Sequence, residues 1–176
     1  TMFELAQKPD VVEKARQEID EVLGDRQLEF EDLPNLKYCR AIFDEGLRLH
    51  PPGSIILRQV VNDDIWPDGS KVKAGSDAVI HLYRLGRDEQ FWGNDVLDFK
   101  PERWLGKGPL ADPYDFPVFN ASFRSCLGKH MALTEMTLSL VQLLSNFNFE
   151  LSCKKEEVTY GVALALMLSN GLPLRF

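Results

Sequence analysis

Cys126 stands in the stretch Phe119-Asn120-Ala121-Ser122-Phe123-Arg124-Ser125-Cys126-Leu127-Gly128, directly ahead of a long apolar-periodic segment. A cysteine in an irregular loop facing a helix start meets unpaired backbone N–H groups, which favour a thiolate. Arg124 adds positive charge two residues earlier, and Phe119 offers an aromatic ring to roof the sulfur. Such a thiol can act as a nucleophile, a redox sensor or a single ligand to a metal. The loop alone leaves these open, and most single cysteines are simply buried and structural.

A second set of side chains is spaced for charge pairing. Leu36 to Leu49 reads as a helix, with apolar residues at Leu36, Ile42, Phe43 and Leu47, and His50-Pro51-Pro52 ends it. Glu45 and Arg48 lie three apart on it and share a face. On their own they would be a surface ion pair of little weight. Far downstream, Pro101-Glu102-Arg103-Trp104 supplies another guanidinium.

The order Glu-x-x-Arg, then Pro-Glu-Arg-Trp, then Phe119-x-x-Ser122-x-Arg124-x-Cys126-x-Gly128 resembles the cytochrome P-450 family. That family usually has glycine where this chain has Ser122, and many members carry histidine where it has Gly86. The resemblance implies that Cys126 is the axial thiolate ligand of the iron of haem b. Phe119 would pack near the sulfur, Arg124 and Arg58 would reach haem propionates, and Gly128 would let the next helix approach the porphyrin. Glu45 would sit between Arg48 and Arg103 as a buried trio locking helix to haem-supporting loop. The implied fold is mixed α/β, mainly α: the C-terminal portion of the cytochrome P-450 fold, with small β-sheets and a haem-thiolate loop. Residues 1–176 would be the C-terminal haem-binding part of a single larger domain. Thr1 to Gln7 then resembles the last turns of a central helix whose oxygen-activating residues lie upstream, so the fragment alone is expected to be soluble and inactive.

The implied full-length activity is that of a haem-thiolate monooxygenase. It would hydroxylate a hydrophobic substrate with dioxygen, drawing electrons from NADPH through a flavoprotein reductase. Trp66-Pro67-Asp68-Gly69, Leu85-Gly86-Arg87-Asp88 and Phe91-Trp92-Gly93-Asn94-Asp95 resemble the branch of fatty-acid ω-hydroxylases and alkane hydroxylases. Gly53 to Leu57 and Tyr160 to Leu164 would border the substrate, and their apolar residues (Ile55, Ile56, Leu57, Val162, Ala163, Leu164) suit an apolar one. Lys100, Arg103, Lys107 and Lys129 would attract an acidic reductase. A eukaryotic member would work at the cytoplasmic face of the endoplasmic reticulum membrane. The alternatives are a non-catalytic haem-binding or truncated scaffold module, and a thiol redox sensor using Cys126 without haem.

The elements that must position these residues follow from periodicity. Asp10 to Leu23 reads as an amphipathic helix behind Pro9 and before Gly24, and Leu28 to Pro34 as a linker. Ser54 to Val61 and Asp77 to Leu82 read as extended, with a hairpin between them turning at Pro67-Asp68-Gly69, and a short helix spans Tyr83 to Asp88. Glu89 to Val118 lacks periodicity, and a segment that long without structure is normally either functional or disordered. Gly128 to Asn146 reads as a largely buried helix. Phe147 to Ser152 and Tyr160 to Ser169 read as strands, the second joined through Asn170-Gly171 to Leu172–Phe176 as a hairpin. The 176 residues, 44% of them hydrophobic, are enough for one domain with a core. A net charge of −7 argues against nucleic acid, and three cysteines are too few for a disulfide scaffold.

Overall fold

The computed structural model describes residues 1–106, 113–162 and 165–176. Lys107, Ala163 and Leu164 lie outside the described residues, as does the side chain of Val162. The core is helical: α1 (Met2–Leu5), α2 (Pro9–Leu23), α3 (Lys37–Leu49) and α6 (Lys129–Asn146) enclose one apolar cluster. α2 buries Val11, Ala15, Ile19 and Leu23, a single stripe at four-residue spacing, and stops at Gly24 with φ 56°. Its opposite face is charged, yet two residues there have structural jobs. The Glu18 carboxylate accepts the N–H groups of Tyr38 at 2.6 Å and Cys39 at 2.8 Å, satisfying a helix start that has no cap of its own. Arg16 donates to the carbonyls of Leu144 at 3.0 Å and Phe147 at 2.7 Å, at the end of α6.

α3 is buried on almost every side, from Tyr38 to Leu49, charged residues included. That burial makes it the beam on which the remaining elements hang. Between α3 and α6 run β1 (Ile56–Gln59), β2 (Asp64–Ile65), β3 (Lys71–Val72), β4 (Asp77–Ile80), α4 (Leu82–Leu85) and α5 (Glu89–Trp92). β1 pairs antiparallel with β4, Ile56 opposite Ile80, and β2 pairs with β3 across the expected Pro67-Asp68-Gly69 turn. The linker at Leu28–Pro34 contains a 3₁₀ turn, Phe30–Asn35, in which Asp32 accepts the Glu29 N–H and pairs with Arg26. In the long irregular stretch, Trp92, Val96 and Phe116 form a second cluster, with Trp104 packed against it.

Two expectations need correcting. α6 buries only Thr137, Leu140, Val141 and Leu144, while Met131 and Leu138 are exposed, so the helix is half-buried rather than largely buried. Its apolar residues surround most of its circumference, but only one face meets α2 and α3. The stretch Tyr160–Ser169 is not one strand. β6 (Tyr160–Val162) folds back on β7 (Leu166–Leu168), whereas β8 (Leu174–Arg175) pairs with β5 (Glu150–Leu151). Asn170-Gly171 therefore leads out of one hairpin instead of turning within another.

Candidate cofactor site

A buried charge network ties α3 to the irregular stretch that precedes the cysteine loop. Glu45 and Arg48 have no exposed surface. Arg48 donates from Nε to Glu45 Oε2 and from Nη2 to Oε1, both at 2.8 Å, the side-on fork that fixes a guanidinium against a carboxylate. Arg103 donates from Nε to the same Oε1 at 3.0 Å. The structure thus brings all three members of the trio together. It adds partners that spacing did not assign: the Lys100 N–H and the Trp104 indole N–H each donate to Glu45 at 2.8 Å.

The remaining donors of the two guanidiniums stitch the irregular stretch to α3. Arg48 Nη1 donates to the Gly86 and Val96 carbonyls, each at 2.6 Å, and its plane lies over the Trp92 ring, 5.1 Å from the centroid. Arg103 donates to the Asp95 carboxylate at 3.1 Å and to the Asp95 carbonyl at 2.9 Å. Removing one partner from such a pair leaves a buried charge uncompensated, at a cost of about 3–5 kcal/mol. Arg103 is therefore committed internally and is not a cation free to meet a reductase. Lys100 pairs with Asp95 at 2.9 Å, and Lys129 stands 5.9 Å from the Phe119 ring centroid.

Above this base, the loop closes on itself. The Cys126 N–H donates to the Phe119 carbonyl at 2.7 Å, which brings the two ends of the motif together. Between them Asn120 and Ser122 both adopt left-handed backbone, φ 56° and 57°, and Ser122–Arg124 makes one 3₁₀ turn. The Cys126 carbonyl then accepts the Lys129 N–H at 3.3 Å, so the thiol sits at the first turn of α6. Cys126 is exposed, unlike Cys39, whose burial beside Glu18 pushes its thiol well above the ordinary range. Gly128 has an ordinary φ of −83°, so its backbone does not demand glycine. A Cβ there would stand 4.0 Å from the sulfur, so glycine keeps the space beside Cys126 open.

The surroundings fit a large, flat, apolar group carrying negative charge at its edge. Phe123 and Leu127, on either side of the thiol, are 95% and 102% exposed, and Met131 follows one turn later. Arg124 lies in the loop, and Arg58 reaches it from β1, donating from Nη2 to Asn120 Oδ1 at 2.9 Å. Among the described residues no three His, Cys, Asp or Glu side chains cluster as a metal site. One thiol is a suitable donor set for an iron whose other ligands come with a porphyrin.

The sequence matches the family model described as Cytochrome P450 over residues 1–171. It is 39% identical over 149 residues to alkane hydroxylase MAH1 of Arabidopsis thaliana, covering 83% of this chain and 29% of that protein. It is 34% identical over 183 residues to Cytochrome P450 CYP94D109 of Paris polyphylla, covering 98% of this chain and 36% of the relative. Cytochrome P450 94B3 of Arabidopsis thaliana is 34% identical over 179 residues, covering 97% and 35%. The chain spans about a third of the length of these curated relatives. Matched to the family model along nearly its whole length and 34% identical to relatives that cover almost all of it, the chain belongs to the cytochrome P450 family.

Proposed function

We propose that this chain is the haem-binding part of a monooxygenase that hydroxylates an aliphatic substrate, a fatty acid or an alkane. The observation that carries the reading is the exposed Cys126 thiol, at the first turn of α6, ringed by the uncovered Phe123, Leu127 and Met131. Bound through a thiolate, haem supplies dioxygen activation with electrons delivered by a flavoprotein reductase from NADPH. Cys126 holds the iron, and the hydrogen bond from its N–H to Phe119 fixes the sulfur's direction. Arg124 and Arg58 neutralise the propionates, and Phe119 shields the sulfur. Glu45, Arg48 and Arg103 keep the stretch under the loop rigid, so the thiol needs no reorganisation to bind.

On the substrate side, exposed Ile55 and Leu57 before and within β1, and the β6–β7 hairpin, offer apolar surface and exclude water. The name of one Arabidopsis relative, an alkane hydroxylase, supports an aliphatic substrate. Lys129 is the described cation best placed on the thiol side to steer an acidic reductase. The test is full-length protein incubated with a flavoprotein reductase, NADPH, labelled dioxygen and either a long-chain fatty acid or an alkane. Label is expected in a hydroxylated product of at least one; haem-loaded protein that labels neither overturns the proposal.

A further inference from the structure

We propose that Glu4, His50 and Tyr160 form a hydrogen-bonded strap that sets the position of the β6–β7 hairpin, making His50 a positioning residue for the substrate pocket. The role in the pocket rests on the functional reading above; the strap itself does not. His50 ends α3, two residues beyond Arg48, so its ring is carried by a helix buried along almost its whole length. Its Nε2 lies 2.7 Å from Glu4 Oε1 at the end of α1, with both side chains mostly buried. Its Nδ1 meets the Tyr160 hydroxyl on β6, with the two rings 5.9 Å apart and tilted by 34°. Phe3 packs edge-on against the imidazole at 6.3 Å, closing its other side. Three elements far apart in sequence therefore converge on one imidazole.

The chemistry of the partners assigns the protons. Burial pushes the Glu4 carboxyl up, but the hydrogen bond and charge of His50 and the charge of Lys155 outweigh it, and the net shift is downward. Burial, with Tyr83 nearby, pushes the Tyr160 phenol up to about 12, against the opposing charge of Arg87. Glu4 thus accepts from Nε2–H, and Nδ1 bonds the Tyr160 hydroxyl in either charge state of the ring, accepting its O–H as an imidazole or donating to its oxygen as an imidazolium. One further bond ties the hairpin to the same place: the Leu166 N–H donates to the Pro52 carbonyl at 2.7 Å. A two-stranded hairpin is marginal by itself and takes its position from such ties. Losing the His50 bond should let β6 and β7 move together, away from the Pro51-Pro52 corner.

The experiment is hydrogen exchange on the full-length protein, comparing wild type with Tyr160→Phe, which removes one hydroxyl, and His50→Phe, which keeps a ring but both bonds go. In each variant the Leu166 and Ser169 amides are expected to exchange roughly five-fold faster, as for one lost hydrogen bond, with α3 and α6 amides unchanged. In His50→Phe the KM for the fatty acid or alkane that the wild type hydroxylates should rise by a similar factor while kcat and the reduced carbon monoxide spectrum stay as in wild type. Unchanged hairpin exchange, or acceleration spread equally over α3, overturns the strap. Faster hairpin exchange with unaltered KM overturns the positioning role. A wild-type protein that binds haem but hydroxylates neither a fatty acid nor an alkane overturns the functional reading, and the exchange data still decide the strap.

Discussion

Ser122 holds a backbone angle of φ 57° in the middle of the cysteine loop, a region that costs a residue with a Cβ about 1–2 kcal/mol. Asn120, two residues before, has φ 56°, but asparagine tolerates that region better. Ser122→Gly is expected to relieve the strain and to lose about 0.5–1 kcal/mol of it to the greater freedom of the unfolded chain. A net gain of up to about 1.5 kcal/mol should appear in the denaturant midpoint of the full-length protein. Gly86 presents the opposite case, since its φ is ordinary and space decides. A Cβ there would lie 2.2 Å from the Arg48 carbonyl oxygen and 3.1 Å from its carbon, and neither backbone atom can yield cheaply. Gly86→Ala should destabilise by about 1–3 kcal/mol, and thermal unfolding would register it. The departure from glycine at Ser122 was legible in the sequence, but its backbone angle was not. The need for glycine at Gly86 arises from a crossing of α4's end over α3, which no local pattern records.

At the scale of elements, α2 and α3 were readable because an apolar stripe at helical spacing faces one core. Glu-x-x-Arg was readable only through its company, and the acceptors that complete it are mostly backbone carbonyls of the irregular stretch, Gly86, Val96 and Asp98, which carry no side-chain signal. Glu45→Ala would leave Arg48 buried against those carbonyls without its countercharge. Loss of haem incorporation, rather than slower turnover, is expected in the full-length protein, measured as haem per polypeptide; soluble variant with full haem would refute the supporting role. The 3₁₀ turn after α2 carries a pH dependence. The Arg26 hydrogen bond and then the Glu29 N–H hold Asp32 at about 2, below its ordinary 3.8. A carboxyl depressed on folding contributes stability that is complete above the ordinary value and lost as pH falls through the depressed one. Asp32→Asn should therefore flatten the fall in stability between about pH 4 and 2, seen by unfolding across that window. The pairing of β6 with β7 was missed because no turn residue interrupts the apolar run from Val162 to Leu168, whereas the conspicuous Asn170-Gly171 serves only to leave the pair.

For the whole molecule, the buried half and the uncovered half have different logic. α1, α2, α3 and one face of α6 close an apolar core, the Glu45 network ties α3 to the irregular stretch beside it, and the cysteine loop leaves its apolar Phe123 and Leu127 side chains exposed. Among the described residues no helix is long and apolar enough to cross a membrane. The chain covers about a third of its relatives' length, and Phe123, Leu127, Met131 and Leu138 are large apolar side chains left exposed in and after the cysteine loop. The sulfur at the centre of that surface is the atom on which the functional reading turns. The most direct measurement is the reduced carbon monoxide spectrum of the full-length protein, wild type against Cys126→Ser. The wild type should show the red-shifted Soret band of a thiolate-ligated haem, and the variant should lose the shift or the haem; a variant that keeps haem and the shifted band would contradict ligation by Cys126.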